Sequence, residues 1–146
     1  MTDIEIMLKA QEGTGHVRHG RFFPYVDTVG KTTIGYGRCL DTKGISTAMA
    51  LMMFSEDIAD AIDIARRVCS VYDQLSRARQ LVMISMAFNL GMVGLNKWVR
   101  FLNAIHKEDW NEAADELLDS KAAKEDAPTR YRQLAKMMRE DVALWV

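Results

Sequence analysis

Tyr25-Val26-Asp27-Thr28-Val29-Gly30-Lys31-Thr32-Thr33-Ile34-Gly35-Tyr36-Gly37 is the stretch on which the reading of this 146-residue chain turns. Val29-Gly30 has the composition of a tight-turn centre, with glycine supplying positive φ. The residues after it alternate as a strand, Ile34 and Tyr36 on one face, Thr33, Gly35 and Gly37 on the other. Two glycines on one strand face leave no side chain to block a ligand or another backbone. The Thr33 hydroxyl borders that bare face and Asp27 stands across the turn. A carboxylate, a hydroxyl and an open wall can hold a water against a polar substrate. Asp27 is equally suited to capping the turn with its own side chain.

Upstream, Thr2-Asp3-Ile4-Glu5 has the capping-box pattern that opens a helix, with Ile4, Met7 and Leu8 on one stripe and Gly13 as its stop. Glu12 falls on the same side as Ile4 and Leu8, at the last helical position. The partial negative charge of a helix C-terminus and partial desolvation both disfavour an anion there, as a general acid requires. An ordinary frayed-end glutamate is the competing reading.

Downstream, the composition changes. Seven of the nine glycines lie in residues 13–44, and the chain beyond them reads as helices. A helix of about 20 residues starts after Ser46 with Leu51, Phe54, Ile58, Ala61, Ile62 and Ala65 at helical spacing and Arg66-Arg67 at its end; it would run about 30 Å. Leu81–Phe88 is apolar nearly all round and belongs inside a bundle. Asp109–Ser120 carries a stripe of Trp110, Ala113, Ala114, Leu117 and Leu118, and a last helix after Pro128 carries Tyr131, Leu134, Met138, Val142 and Trp145. The ten methionines read as adaptable core filler. The fold class expected is α+β, mostly helical, as a single domain. It has a small β-containing lobe at 13–45, a connecting helix at 46–69, a helical lobe from 1–12 and 70–146, and a cleft between the lobes as the ligand site.

Other classes fall away. The chain is 49% apolar and 27% charged, an ordinary globular balance. Its longest apolar run, Ala48–Phe54, is seven residues, against about 20 for a membrane span, and the polar N-terminus is not expected to act as a signal peptide. Residues 1–70 hold 8 basic and 9 acidic groups and residues 71–146 hold 11 of each, so no basic module for nucleic acid is present. Cys39 and Cys69 fit no metal-ligand spacing and read as reduced thiols. No metal or cofactor is expected, and a monomer is the default.

Glu12 and Asp27 together supply the two carboxyls of glycoside hydrolysis. Glu12-Gly13, Tyr25-Val26-Asp27-Thr28-Val29-Gly30 and Thr33-Ile34-Gly35-Tyr36-Gly37 resemble the catalytic signature of phage-type lysozymes, the T-even phage lysozyme-like endolysins of glycoside hydrolase family 24. The likeness continues in Val71-Tyr72-Asp73-Gln74-Leu75, Phe88-Asn89-Leu90-Gly91, Trp110-Asn111-Glu112-Ala113-Ala114 and Pro128-Thr129-Arg130. The resemblance implies a lysozyme-like fold and cleavage of the β-1,4 bond between N-acetylmuramic acid and N-acetylglucosamine in bacterial peptidoglycan, with inversion. Glu12 would be the acid, Asp27 would activate or position water, and Thr33 would help hold it. An inverting pair stands roughly 6.5–9.5 Å apart. Arg130 matches a family arginine that approaches the acid from the other lobe, and Asn89 matches a polar residue lining the cleft; a surface arginine and a plain helix-ending asparagine are the alternatives. Gly35 and Gly37 would line the groove. The family also implies a separate holin-type protein that releases the enzyme from the host cytoplasm to the wall, or carriage on the virion.

The chain departs from that pattern in three places. Glu12 and Asp27 are fifteen positions apart, a longer spacing than the family usually shows, and the extra residues include His16, Arg18, His19 and Arg21. That stretch reads as a solvated cationic loop suited to the anionic peptide stems of the wall. Arg38 follows Gly37 where the relatives often have histidine, and the Cys39–Ser46 loop is short. Three further functions compete: a lytic transglycosylase, which needs only one acid; an inert wall-binding or virion structural domain; and a helical interaction protein, which leaves the glycine-bearing strand without a purpose.

Overall fold

The structure is a computed structural model that describes residues 1–144. The chain divides into two compact units, Met1–Met52 and Met53–Val146.

The first unit opens with helix α1 (Asp3–Glu12). Its capping box forms as the sequence dictates: the Glu5 N–H donates to Thr2 Oγ1 (3.4 Å) and the Thr2 N–H to Glu5 Oε2 (2.6 Å), with Gly13 ending the helix at φ 71°. The expected burial of its stripe does not occur. Ile4, Met7 and Leu8 are all about half exposed, and α1 buries no residue. Strands of two or three residues offer no face broad enough to cover a helix, and α1 meets its own unit through polar side chains of its last turn.

Five short strands follow: β1 (His16–Arg18), β2 (Arg21–Phe23), β3 (Tyr25–Val26), β4 (Thr32–Ile34) and β5 (Arg38–Cys39). The expected loop at 14–23 is instead a hairpin. His16 pairs with Phe23, Val17 with Phe22 and Arg18 with Arg21, around a two-residue turn in which His19 (φ 49°) and Gly20 (φ 75°) both take the positive φ that such turns need. In the second sheet, of order β3-β4-β5 and antiparallel throughout, Thr33 pairs with Tyr25 on one side and Cys39 on the other.

Two turn assignments also change. The tight turn spans Asp27–Gly30 (Gly30 N–H to Asp27 O, 3.1 Å), so Thr28-Val29 is its centre and Gly30 follows at φ 79°. The strand stops at Ile34 and does not alternate through Gly37, because Gly35 (φ 65°) and Gly37 (φ 76°) bend the chain around Tyr36. The Cys39–Ser46 loop contains a one-turn helix, α2 (Leu40–Lys43), packed on β4 and β5.

Helix α3 (Thr47–Val68) starts where expected, with Ser46 Oγ accepting the Met49 N–H at 3.2 Å. Its apolar stripe is buried only toward the C-terminal end, at Ala61 and Ala65; Leu51 and Phe54 are exposed.

The second unit holds the core. After α3 come α4 (Arg77–Asn96), α5 (Val99–His106), α6 (Trp110–Asp119) and α7 (Pro128–Glu140). Val82, Met83, Met86 and Ala87 of α4, Phe101 and Ile105 of α5, Ala113, Ala114 and Leu117 of α6, and Tyr131, Leu134, Met137 and Met138 of α7 are buried together, so four of the ten methionines are core filler as expected, whereas Met1, Met7, Met49, Met52, Met53 and Met92 are exposed. By length and mean hydropathy (1.3) α4 is apolar enough to cross a membrane, which a count of uninterrupted apolar residues does not reveal. It is broken by Gly91 (φ 63°, ψ 179°) and turns Val82, Met83, Met86 and Ala87 into the protein core.

Asp109 caps α6 by accepting the Glu112 N–H at 3.0 Å. Helix α7 ends earlier than expected: Asp141 adopts φ 56°, and Val142 lies beyond the helix, exposed. Trp145 lies outside the described residues. The fold is α+β and mostly helical, and among the described residues all strands lie in the first unit.

Candidate active site

Asp27 leaves β3 at the start of the tight turn, and the turn uses half of its carboxylate. Oδ1 accepts the Val29 N–H (2.9 Å) and the Lys31 N–H (2.8 Å), while the Asp27 backbone N–H donates to Lys31 O (2.9 Å). This is the turn-capping role open to an aspartate here. The other oxygen, Oδ2, faces Thr33 Oγ1 at 3.4 Å. Thr33 is buried, 4% exposed, the one polar residue so buried among the described residues. Its hydroxyl has two acceptors in reach, Asp27 Oδ2 and Lys31 O (3.3 Å), both at long distance for a single proton. Capping therefore does not exhaust Asp27: one oxygen fixes the carboxylate and the other keeps acceptor capacity.

Glu12 ends α1 with an exposed side chain that lies over Gly37. A Cβ at residue 37 would stand 2.6 Å from Glu12 Oε2 and 3.1 Å from its Cδ. Gly37 thus meets two demands, a left-handed backbone and the approach of the Glu12 carboxyl. Gly35 meets only the first, since a Cβ there would enter open space. The structure brings together Asp27 with Thr33, and Glu12 with Gly37, on one three-stranded sheet and its turns. Its own unit leaves the Glu12 carboxyl exposed.

Three further residues of this unit were not singled out from the sequence. Gly15 packs so closely that a Cβ would stand 2.9 Å from both Gly35 O and Tyr25 Cε1; the Gly13-Thr14-Gly15 spacing was its available signal. Tyr36 carries Lys9 Nζ 4.7 Å from its ring centre. Asp41 accepts the Thr32 N–H at 2.8 Å. Arg38 donates from Nε to Gly44 O (2.7 Å) and reaches Lys43 O (3.4 Å), tying down the end of α2.

Asn89 and Arg130 lie in the second unit and are partners. Arg130 donates to Asn89 Oδ1 at 2.6 Å, and Asn89 Nδ2 donates to Ser85 O at 2.6 Å. Asn89 stands two residues before the Gly91 break, and Arg130 in the first turn of α7. Both border an apolar hollow of about 600 Å³ lined by Phe54, Leu81, Phe88 and Met137 among others. Among the described residues no three His, Cys, Asp or Glu side chains gather as metal ligands.

The first unit thus holds a carboxylate fixed by a glycine turn beside a buried hydroxyl, and a second carboxyl over Gly37, on a mostly helical α+β chain. The sequence profile of the phage lysozyme family matches residues 17–136, most of the chain, and the protein belongs to that family of peptidoglycan-lytic enzymes. The matched segment includes Asp27, Thr33, Gly35, Gly37, Asn89 and Arg130; Glu12 lies five residues before it. No curated protein sequence matches the chain closely enough to count as a relative.

Proposed function

We propose that the protein is a muramidase that hydrolyses the β-1,4 bond between N-acetylmuramic acid and N-acetylglucosamine with inversion, in phage-mediated lysis of bacteria. Glu12 gives its proton to the glycosidic oxygen. Asp27 Oδ2 accepts a proton from the attacking water, whose oxygen joins the anomeric carbon as the leaving sugar departs. Thr33 Oγ1 positions that water. With Oδ1 tied by two N–H donors, Oδ2 is the oxygen left for base work. The enzyme reaches the wall from the host cytoplasm through a separate holin-type protein, or on the virion.

The observation that carries this reading is the divided Asp27 carboxylate, one oxygen fixed by the turn and the other facing buried Thr33. The test is release of reducing sugar from purified peptidoglycan by wild type, Glu12→Gln and Asp27→Asn. Each substitution should lower kcat by roughly 10²–10⁴ while the thermal transition is retained, and the first-formed product should have the inverted anomeric configuration. Anhydro-muramic ends in the product would replace this reading with a lytic transglycosylase. Binding to peptidoglycan without any bond cleavage would replace it with an inert wall-binding or virion structural domain.

A further inference from the structure

We propose that the β1–β2 hairpin is a specificity-determining extension of the substrate-binding wall, in which Arg18 receives a free carboxylate of the peptide stems carried by the glycan; this rests on the peptidoglycan-cleaving reading above. Placement supports it first. The hairpin is fixed to the turn that carries the acid: Phe22 meets Tyr36 edge-on at 5.2 Å between ring centres, and His16 lies 5.5 Å from Tyr25. Gly15, just before β1, is packed against Gly35 O and the Tyr25 ring. Tyr36 is flanked by Gly35 and Gly37, and Gly37 touches Glu12. Substrate lying on the acid therefore has this ribbon as its neighbour.

Charge supports it next. No carboxylate occurs between Glu12 and Asp27, while His16, Arg18, His19 and Arg21 all do. Arg18 and Arg21 are directly opposite at the closing pair of the ribbon, which gathers cationic side chains at its tip. Arg21 has a contact of its own within the chain, so Arg18 bears the role. The Arg18 guanidinium lies 5.4 Å from the centre of the Phe23 ring, which holds its planar fork ready for a bidentate carboxylate. An anionic membrane is the weaker partner for this ribbon. Phe22 packs on Tyr36 and Phe23 lies under Arg18, which holds both partly exposed rings against their own unit.

The experiment compares intact sacculi with sacculi stripped of their stems by an amidase, using wild type, Arg18→Ala and Arg18→Lys at low and high salt. The ratio of kcat/KM on intact over stripped glycan should fall about 1.5- to 5-fold in Arg18→Ala, the range of an exposed ion pair. Arg18→Lys should recover part of it, and the difference should shrink with added salt. Cosedimentation of the Glu12→Gln variant, with and without Arg18→Ala, makes the same comparison without catalysis, so failure to cleave and failure to recognise stems are read separately. An unchanged ratio in both assays overturns the proposal. Loss of binding to phosphatidylglycerol vesicles in Arg18→Ala, with the wall ratio unchanged, would assign the ribbon to a lipid surface instead.

Discussion

Gly37 and Gly35 share a positive φ and differ in what surrounds them, so they separate backbone strain from site geometry. Alanine at either position pays the left-handed penalty, about 1–2 kcal/mol. At Gly37 the new methyl must also push the Glu12 carboxyl away. Gly37→Ala and Gly35→Ala should therefore lower the melting temperature by similar amounts, while Gly37→Ala loses roughly tenfold to a hundredfold more kcat, as a misplacement of about 1 Å does. Equal losses of activity would show that Glu12 does not depend on that approach. At this scale the sequence picks out candidate residues and is silent about how they are held. Asp27, Thr33 and Gly37 stand out by type and spacing. The sharing of the Asp27 carboxylate between turn and Thr33, and the seat of Glu12 on Gly37, depend on tertiary placement that no local pattern encodes.

Elements were legible in proportion to their length. Helices α6 and α7 repeat their buried positions over several turns, so periodicity finds Ala113, Leu117, Tyr131 and Leu134 directly. Helix α2 is a single turn with no period to read, and β1 and β2 are three residues each, below the length at which alternation is distinguishable from a polar loop. The end of α7 was misplaced because Val142 continues the apolar spacing, whereas the backbone reverses at Asp141. Helix α2 nevertheless has a measurable role. Asp41 in its only turn accepts the Thr32 N–H, and that backbone bond, followed by the Thr32 side chain, holds the Asp41 carboxyl below the usual aspartate range, with Lys31 adding to it. A carboxyl lowered in the folded state stabilises above its unfolded value, near 3.9, and that contribution is lost as pH falls through the folded one. The Asp41 resonance should accordingly titrate below that of an unstructured aspartate. Asp41→Asn should make the acid-induced loss of stability shallower below about pH 4. An Asp41 titration at the ordinary midpoint would remove the α2–β4 clip as a source of acid sensitivity.

For the whole molecule, burial and chemistry lie in different places. The second unit holds the continuous apolar core, whereas the first has Thr33 as its one buried residue among those described. Net charge is −1, so long-range attraction to an anionic wall is weak and the cations at 14–23 act only locally. Cooperative stability follows buried apolar contact, and segments with little of it open at lower free energy. Amides of α6 and α7 should therefore exchange hydrogen only through global unfolding. Those of β1–β5 should exchange through local openings that persist in conditions where the core stays closed. Leu117→Ala, which empties a fully buried site in α6, should cost about 2–5 kcal/mol and accelerate exchange throughout the second unit. Binding of a glycan oligomer to the Glu12→Gln variant should slow exchange at the Val29 and Lys31 amides, because those N–H groups hold Asp27 Oδ1 in the turn. Exchange measured by mass spectrometry, with and without ligand, checks all three. Equal protection in both units, or no ligand effect at the Asp27 turn, would mean that the site is as rigid before substrate arrives as after.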